Sequence, residues 1–285
     1  MFKKRRKSKN KWLGFAARFL RVLRWGFRIL LLLLILDFFY LAVTWPDWNK
    51  LSSGLAPKSA FIHEYEKRLA ESKELPRLNW QPVPGSAIPK HVIRAVILAE
   101  DARFYEHSGF DLIAFREAMD YNLTEGRFVL GGSTISQQTA KNLFLSSAKN
   151  PLRKWHELIL TWGMERHITK RRILDIYLNV AEFGKGVYGA QAAAQRYWGI
   201  NIGDVSAAQA AELAATLPGP VKNNPATRTA YFEKRSQKIL SLLERFPGDA
   251  VDAVYPSHPE LFSPPPENGD SPVVAEPLSE RARPF

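Results

Sequence analysis

The segment IPKHVIRAVILAEDARFYEHSG, residues 88–109, decides the fold of this chain. Within it, three apolar side chains, a carboxylate and a histidine recur at intervals of three and four residues, the spacing of one face of an α-helix. The residues on that face are Ile93, Ile97, Glu100, Phe104 and His107. The periodicity predicts a helix over residues 88–107 with a carboxylate in its apolar face. Such a carboxylate costs stability unless it is paired or has a function.

Most of the chain beyond this segment has the same helical periodicity. The further predicted helices cover residues 135–145, 151–167, 171–183, 190–198, 206–217 and 229–246. Pro151 stands at the favoured first position of one helix, and Ser206 with Gln209 makes a capping box at another. The alternation typical of a sheet is missing from the sequence. The fold class is therefore predicted to be mainly α.

Positive charge is concentrated at the N-terminus. Residues 1–28 hold 11 of the 40 Lys and Arg residues and no acid, so the rest of the chain is nearly balanced against its 28 acids. The run ILLLLLILDFFYLAV begins at residue 29 and, with flanking Trp25 and Trp45, is long enough to span a bilayer. Basic residues on the N-terminal side predict a cytoplasmic N-terminus and an external remainder. Asp37 is an acid inside the predicted span, where acids are costly.

Two alternatives to an uncleaved anchor are a cleaved signal peptide and a nucleic-acid-binding arm. Residues 42–44 make a poor cleavage site, since bulky Trp45 follows them. Lys and Arg next to a leucine run usually set membrane topology rather than bind nucleic acid. The uncleaved anchor is favoured over both, and no nucleic-acid partner is expected.

Composition divides the chain into five parts. They are a basic cytoplasmic arm at 1–28, a transmembrane anchor at 29–45, a stalk at 46–84, a helical domain at 85–250 and a tail at 251–285. The tail is rich in proline and is predicted to be disordered. The chain has no cysteine, which excludes disulfides and thiolate metal sites.

Glu100 is the first candidate for chemistry. Burial on an apolar face disfavours its charged form and raises its pKa, which suits a general acid or base near neutral pH. The alternative is a structural acid held by an arginine such as Arg94 or Arg103.

Two further elements are candidates for an anion site. Arg153 and Lys154 precede Glu157 by four and three residues, so the three share a helix face. They form either an exposed ion-pair cluster of little energetic value or a cationic site for a phosphate. GGSTISQQTAKN, residues 131–142, leads a glycine pair into a helix N-terminus, which suits an anion or is simply a well-capped helix. Metal binding by Asp101, His107 and Glu157 has no clear spacing signal.

Four ordered segments together resemble glycosyltransferase family 51, the peptidoglycan glycosyltransferases. They are EDxxFxxHxG at 100–109, GGSTISQQTAKN at 131–142, RKxxE at 153–157 and ILDIYLNVAEFGKGVYGAQAAAQRYWG at 173–199. The resemblance covers roughly residues 85–250. Residues 146–149 match the Ser-x-x-Lys pattern of a transpeptidase, but no Lys-Thr-Gly follows. The chain therefore resembles the monofunctional members of the family, and no transpeptidase activity is expected.

The resemblance implies a lysozyme-like fold with two lobes, a head and a jaw. It implies polymerisation of lipid II into β-1,4-linked strands by single-displacement inversion, with release of undecaprenyl pyrophosphate. Glu100 matches the base that deprotonates the acceptor 4-hydroxyl, and Glu157 matches the second essential acid. The substrate-binding residues that the resemblance implies are Asp101, Phe104 and His107 on the acceptor side, Thr134, Gln138 and Lys141 around the donor, and Arg153 and Lys154 on the pyrophosphate. No cofactor is required, although the family chemistry leaves room for Mg²⁺ or Mn²⁺.

The resemblance also implies a location and partners. Because both substrates carry lipid tails, the active site is expected to lie against the bilayer. Residues 110–115 and 128–130 are apolar enough to enter the bilayer interface. Packing of these residues in the core of the helical domain is an equally weighted alternative. We expect a single-pass protein of the bacterial inner membrane with a periplasmic catalytic domain. Association with other cell-wall synthesis or division proteins stays open. The competing functions are a lysozyme-like hydrolase or lytic transglycosylase and a non-catalytic scaffold.

Overall fold

The computed structural model describes the backbone of residues 3–72, 74–127, 131–148 and 150–246, and side chains from residue 18 onward. The chain forms two compact units, Met1–Asp47 and Trp48–Phe285. The predicted tail at 251–285 and the predicted interface residues 128–130 lie outside the described residues. The boundaries of the five predicted parts stay predictions.

The first unit is dominated by one long helix, α1 (Lys3–Val43). Its segment Arg18–Val43 is 26 residues long and has the length and composition needed to cross a membrane. Arg28 lies over the ring of Trp25, 5.4 Å from its centre. After α1, the backbone N–H of Thr44 donates to the carbonyl of Tyr40 at 2.9 Å. This helix is consistent with the predicted transmembrane anchor.

The second unit begins with short elements in the segment that the sequence analysis treats as a stalk. They are α2 (Trp48–Leu51), α3 (Ala60–Glu71) and β1 (Asn79–Trp80). Trp48 is buried, stacks on His167 at 5.8 Å and meets the edge of Phe144 at 5.6 Å. These elements therefore pack within the second unit, and their contacts come from residues far along the chain.

The remaining helices correspond to the seven predicted helices and include one more, at Leu112–Glu125, that the sequence reasoning missed. They are α4 (Lys90–Glu100), α5 (Leu112–Glu125), α6 (Ile135–Phe144), α7 (Pro151–His167), α8 (Lys170–Val180), α9 (Ala190–Trp198), α10 (Ala207–Thr216) and α11 (Ala230–Arg245). Short 3₁₀ helices lie at Gly85–Ala87 and Ile202–Asp204. Capping boxes start α6, through Thr134 and Gln137, and α10, through Ser206 and Gln209. The mainly α fold class is confirmed.

A small sheet follows α8. Its strand order is β1-β3-β2, with β2 at Glu182–Gly184 and β3 at Val187–Tyr188. β3 pairs parallel with β1 and antiparallel with β2, and Gly186 in the turn has a φ of 76°. The predicted continuation of α8 to residue 183 is wrong, because the chain changes there from helix to this three-stranded sheet.

The predicted helix over residues 88–107 is wrong in its last turns. α4 ends at Glu100, because Asp101 adopts a φ of −166° and a ψ of 72° and turns follow it. The cause is a long-range contact: the Asp101 carboxylate accepts a hydrogen bond at 2.9 Å from the backbone N–H of Ile135, at the start of α6. Glu100, Phe104 and His107 therefore do not share one helix face.

The core is built around α4. Val92, Ala95 and Val96 of this helix are fully buried, and α4 packs against both α10 and α11. α10 is rich in alanine, and small side chains let neighbouring helices approach closely. α6 packs in turn on α7 and α8. This packing fixes the C-terminal end of α4 rigidly within the fold.

Candidate active site

Glu100 is the last residue of α4, and both of its carboxylate oxygens have protein partners. Arg235 of α11 donates from Nη2 to Oε1 at 3.3 Å, and Gln138 of α6 donates from Nε2 to Oε2 at 2.9 Å. The Glu100 side chain is only 10% exposed. Burial raises the pKa of its carboxyl, against the opposing charge of Arg235 and the hydrogen bond from Gln138. The Glu100 carboxylate is therefore fixed in position, and its raised pKa favours uptake of a proton.

Neither arginine that the sequence suggested as the partner of Glu100 has that role. Arg103 makes a two-pronged contact with Asp111, at 3.0 Å through Nε and 2.5 Å through Nη2. Arg94 donates to the carbonyl oxygen of Phe246. The actual partner, Arg235, stands 135 residues further along the chain. No local spacing signals a contact of that range, so the sequence reasoning missed it.

The loop after Glu100 is tied to the start of α6. His107 contacts Asp101 through Nε2, at 2.9 Å to Oδ1, while its Nδ1 accepts from the backbone N–H of Gly109 at 3.1 Å. That second bond assigns the Nε2 tautomer, so His107 donates to Asp101. The hydroxyl of Thr134 donates to the carbonyl of Gly109 at 2.7 Å. These hydrogen bonds hold the loop after Glu100 against the start of α6.

Phe104 and Gly109 complete this support. Phe104 is fully buried, and the Lys170 ammonium lies 4.4 Å from the centre of its ring. Gly109 has a φ of 92°, and a Cβ atom there would stand 2.8 Å from the Thr161 side chain on α7. Only glycine fits this position without displacing its neighbour.

A cationic cluster stands near Glu100. We define it as Lys141, Arg153 and Lys154 around the carboxylate of Glu157. Lys154 contacts Oε1 of Glu157 at 2.5 Å and Arg153 contacts Oε2 at 3.4 Å, and the Glu157 side chain is 4% exposed. The central carboxylate is thus buried, unlike that of an exposed ion-pair cluster. Two cations contact this acid, and Lys141 lies within reach of its charge, so positive charge exceeds negative charge in the cluster.

Lys141 links the cluster electrostatically to Glu100. Burial lowers the pKa of its ammonium group, and Arg153 and Lys154 lower it further, whereas the charges of Glu157 and Glu100 raise it. Within the part of the chain that the structure describes, the buried Nε of Arg153 has no hydrogen-bond partner. This donor is available to an acceptor such as an anion bound beside the cluster.

The comparison with known proteins agrees with this arrangement. Residues 67–244 match the family model described as Transglycosylase. A protein of Nitrosospira multiformis is 43% identical over 220 residues, which cover 76% of this chain and 94% of the relative. One of Janthinobacterium sp. is 40% identical over 212 residues, covering 74% and 90%. Both are named biosynthetic peptidoglycan transglycosylase.

The chain belongs to the transglycosylase family. This confirms the family predicted from the four sequence motifs and the peptidoglycan glycosyltransferase activity that accompanies it. The roles assigned to individual site residues stay predictions.

One group of side chains in this transglycosylase could be taken for a metal site. Oxygen and nitrogen atoms of Asp101, His107 and Asp111 lie within 4.8 Å of one another. However, Asp111 is paired with Arg103 and accepts from the backbone N–H of Ala114 at 2.8 Å. His107 directs its protonated nitrogen at Asp101. A guanidinium and an N–H donor at the ligand positions do not fit Mg²⁺ or Mn²⁺.

An exposed apolar surface lies on α5 of this transglycosylase. Its exposed apolar side chains are Leu112, Ile113, Phe115, Met119 and Leu123. The sequence left open whether residues 110–115 form helix core or an interface. Leu112 is 75% exposed and Leu123 is 74% exposed, so these side chains are outside the core. Several large apolar side chains exposed on one helix are typical of an interaction site.

Proposed function

We propose that this transglycosylase polymerises lipid II and that its substrates bind between Glu100 and the cationic cluster, a region that we call the proposed cleft. The observation behind the proposal is that the buried Lys141 feels the charges both of Glu100 and of the group formed by Arg153, Lys154 and Glu157, in which each carboxylate oxygen contacts one cation. A base is needed for the attacking hydroxyl, and positive charge is needed for the departing pyrophosphate. Glycan hydrolysis requires no such cationic site, which is why the lytic alternative is not favoured.

The chemistry proceeds in one displacement. The acceptor sugar's 4-hydroxyl oxygen attacks C1 of the donor sugar while its proton passes to a carboxylate oxygen of Glu100. The bond between C1 and the pyrophosphate oxygen breaks, and undecaprenyl pyrophosphate leaves with the bonding electrons. Inversion at C1 converts the α-linked donor into a β-1,4 linkage. The raised pKa of Glu100 favours uptake of the proton in this step.

Lys141, Arg153 and Lys154 stabilise the charge that develops on the pyrophosphate. Charge-assisted hydrogen bonds from fixed cations are most effective where the charge appears only in the transition state. Glu157 orients Arg153 and Lys154 by engaging one with each of its oxygens. The unpartnered Nε of Arg153 supports a phosphate ligand at this end of the cleft.

We further propose that the protein is a single-pass component of the bacterial inner membrane. Arg18–Val43 spans the bilayer, and the basic arm places the N-terminus in the cytoplasm. The catalytic unit then lies in the periplasm, with the apolar surface of α5 on the membrane that holds the lipid tails of both substrates. A reporter that is active only outside the cytoplasm, fused after residue 50, is expected to be active; a silent fusion would reverse the orientation.

The decisive assay separates polymerisation from cleavage. Purified full-length protein is incubated with labelled lipid II and, separately, with finished peptidoglycan. We expect glycan strands from lipid II that are absent with Glu100→Gln, and no soluble fragments from finished peptidoglycan. Release of fragments without any polymerisation would establish the hydrolase or lytic alternative instead.

A further inference from the structure

Helix α3 lies in the segment that the sequence analysis treats as a stalk, yet it packs against α6. Ile62 and Tyr65 of α3 are buried, and Tyr65 meets the edge of the Tyr188 ring on β3 at 5.9 Å. The Tyr65 hydroxyl also donates to the carbonyl oxygen of Pro76 at 2.8 Å. These contacts anchor α3 to the small sheet, so the other side chains of the helix are held at fixed places beside α6.

Phe61 of α3 lies beside Lys141, one of the cations of the cluster. The Lys141 ammonium stands 5.9 Å from the centre of the Phe61 ring, within the range of a cation–π contact. The face of an aromatic ring is negative, so the ring favours the charged ammonium without neutralising it. A ring also differs from a carboxylate in leaving the three N–H donors of the ammonium available to a phosphate.

Glu64 of α3 holds the loop that joins α6 to α7. Its two carboxylate oxygens accept from the backbone N–H of Ser147 at 3.0 Å and from the Ser147 hydroxyl at 2.5 Å. This loop connects Lys141 on α6 with Arg153 on α7. Because Phe61 and Glu64 are three residues apart, they share a face of α3. One helix face therefore contacts both a cation of the cluster and the loop between the two helices that carry the cluster.

The charges that act on Lys141 come from α7 and α4. Burial has the largest effect and lowers the pKa of Lys141, which Arg153 and Lys154 on α7 lower further. Glu157 on α7 and Glu100 on α4 raise the pKa. Phe61 joins the two carboxylates in favouring the charged form, because an ammonium beside a ring face is stabilised as the cation.

α8 and α3 also pack against α6 and carry titratable groups. On α8, Tyr177 donates to Gln138 at 3.1 Å, and burial raises the pKa of this phenol well above its usual value, so it is neutral. On α3, the two hydrogen bonds from Ser147 lower the pKa of Glu64, so this carboxylate is ionised and engaged by the loop. Neither group changes its charge in the pH range over which a lysine with a lowered pKa titrates.

We propose that Phe61 and Glu64 are positioning residues for the donor pyrophosphate, a role that rests on the proposed function of Lys141. Phe61 keeps the ammonium of Lys141 charged and in place, and Glu64 fixes the loop between the helices of the cluster. Both residues precede the span that matches the Transglycosylase model, residues 67–244. The predicted stalk therefore contributes to the donor side of the proposed cleft.

The first test is the pH dependence of kcat/KM for lipid II polymerisation by the full-length protein. Phe61→Leu removes the ring, so the basic limb that reports loss of the Lys141 proton is expected to move to lower pH by about half a unit to one unit. The acid limb should stay in place. Phe61→Tyr keeps the ring and should keep the basic limb of the wild type. His63→Leu removes an exposed ring from the same helix and is the matched control.

The second test is inhibition of polymerisation by farnesyl pyrophosphate, a short polyprenyl pyrophosphate without a sugar. Glu64→Ala releases the loop and is expected to raise the inhibition constant several-fold. Glu66→Ala removes another carboxylate of the same helix, one that pairs with Lys58, and should leave the constant unchanged. A merely structural role for Glu64 would lower the amount of active protein without changing the inhibition constant.

Each residue can be excluded separately. A folded Phe61→Leu with the wild-type basic limb, or an equal displacement of that limb in Phe61→Tyr, would contradict the role of Phe61. If Phe61→Leu does not fold, Phe61→Met, which also lacks a ring, takes its place. An unchanged inhibition constant in folded Glu64→Ala would contradict the role of Glu64.

Lys141→Met separates this inference from the function on which it rests. Loss of polymerisation in Lys141→Met, together with wild-type behaviour of Phe61→Leu and Glu64→Ala, would overturn the inference alone. A near-normal rate in Lys141→Met would instead overturn the proposed role of Lys141, and the inference with it.

Discussion

Glu100 and Glu157 are both buried carboxylates that contact cations, yet their surroundings differ in kind. Glu100 has one cation, Arg235, and one neutral amide, Gln138. Glu157 has a cation on each oxygen, Arg153 and Lys154. A carboxylate beside a single cation accepts a proton more readily than one held between two cations, because each positive charge favours the ionised form. The second kind of carboxylate is better suited to orienting the cations. In the proposed function, Glu100 therefore takes the proton and Glu157 places the positive charge.

The largest expected effect is at Glu100. Glu100→Gln keeps the shape of the side chain and a partner for Arg235 but removes the basic oxygen. General base catalysis contributes about 10²–10⁴-fold, so we expect the initial rate of lipid II polymerisation to fall about 1000-fold. Thermal unfolding of the variant, measured in parallel, should show a folded protein. A folded variant with a near-normal rate would remove Glu100 from the chemistry.

Glu157→Gln is expected to have the next largest effect. Arg153 and Lys154 lose the charge that orients them, and kcat/KM should fall about 100-fold or more, as when a fixed transition-state donor is lost. The matched control is Arg228→Gln, which breaks exposed ion pairs with Glu212 and Glu233 away from the cleft. A Glu157→Gln rate close to that of this control would reduce the cluster to a structural ion pair.

Glu182 on β2 is a partly buried acid outside the proposed cleft and extends the comparison. Burial raises its pKa from 4.5 to about 7, only partly offset by the charge of Arg68. Because the folded chain binds this proton more tightly than the unfolded chain, stability falls as the pH rises from about 4.5 to about 7. Glu182→Gln should therefore exceed the wild type in free energy of unfolding by about 3 kcal/mol at pH 8. The two should be close at pH 4, and a difference independent of pH would contradict this account.

The smallest expected effect concerns the apolar surface of α5. Replacing Ile113 and Leu123 together by Gln should lower the polymerisation rate several-fold on lipid II in vesicles, because the proposed contact of these apolar side chains with the bilayer interface is then lost. The rate on a short-chain analogue in solution should stay the same. Val221→Gln, at another exposed apolar side chain of the second unit, is the control. Equal losses on both substrates would point to a folding defect instead.

Much of the fold could be predicted because short stretches of sequence mark where the helices begin and end. The capping boxes at Thr134 and Ser206 and the proline at residue 151 mark helix ends in the sequence itself. The end of α4 could not be predicted, because the contact from Ile135 to Asp101 joins residues 34 positions apart. The helices in residues 46–84 were missed for a similar reason, since Trp48 is buried by Phe144 and His167.

The candidate site shows the same division. The family motifs pointed to Glu100, Glu157 and Lys141, whose roles stay predictions. The helical face that first singled out Glu100 ends at that residue. The support of Glu100 by Arg235 could not, since α11 carries no local mark of the residue it contacts. The local analysis suggested Arg94 and Arg103, which are near in sequence but paired with Phe246 and Asp111. Proximity along the chain is a poor guide to the partner of a buried charge.

The pH dependence of lipid II polymerisation tests the division of work between Glu100 and Glu157 most directly. The rate of the wild type should rise through an acid limb whose midpoint lies above the usual range of a glutamate, since burial raises the pKa of Glu100. Glu157→Gln should keep an acid limb but reach a much lower plateau. The residual activity of Glu100→Gln should show no such limb. An acid limb that persists in Glu100→Gln and disappears in Glu157→Gln would contradict the account and exchange the roles of the two acids.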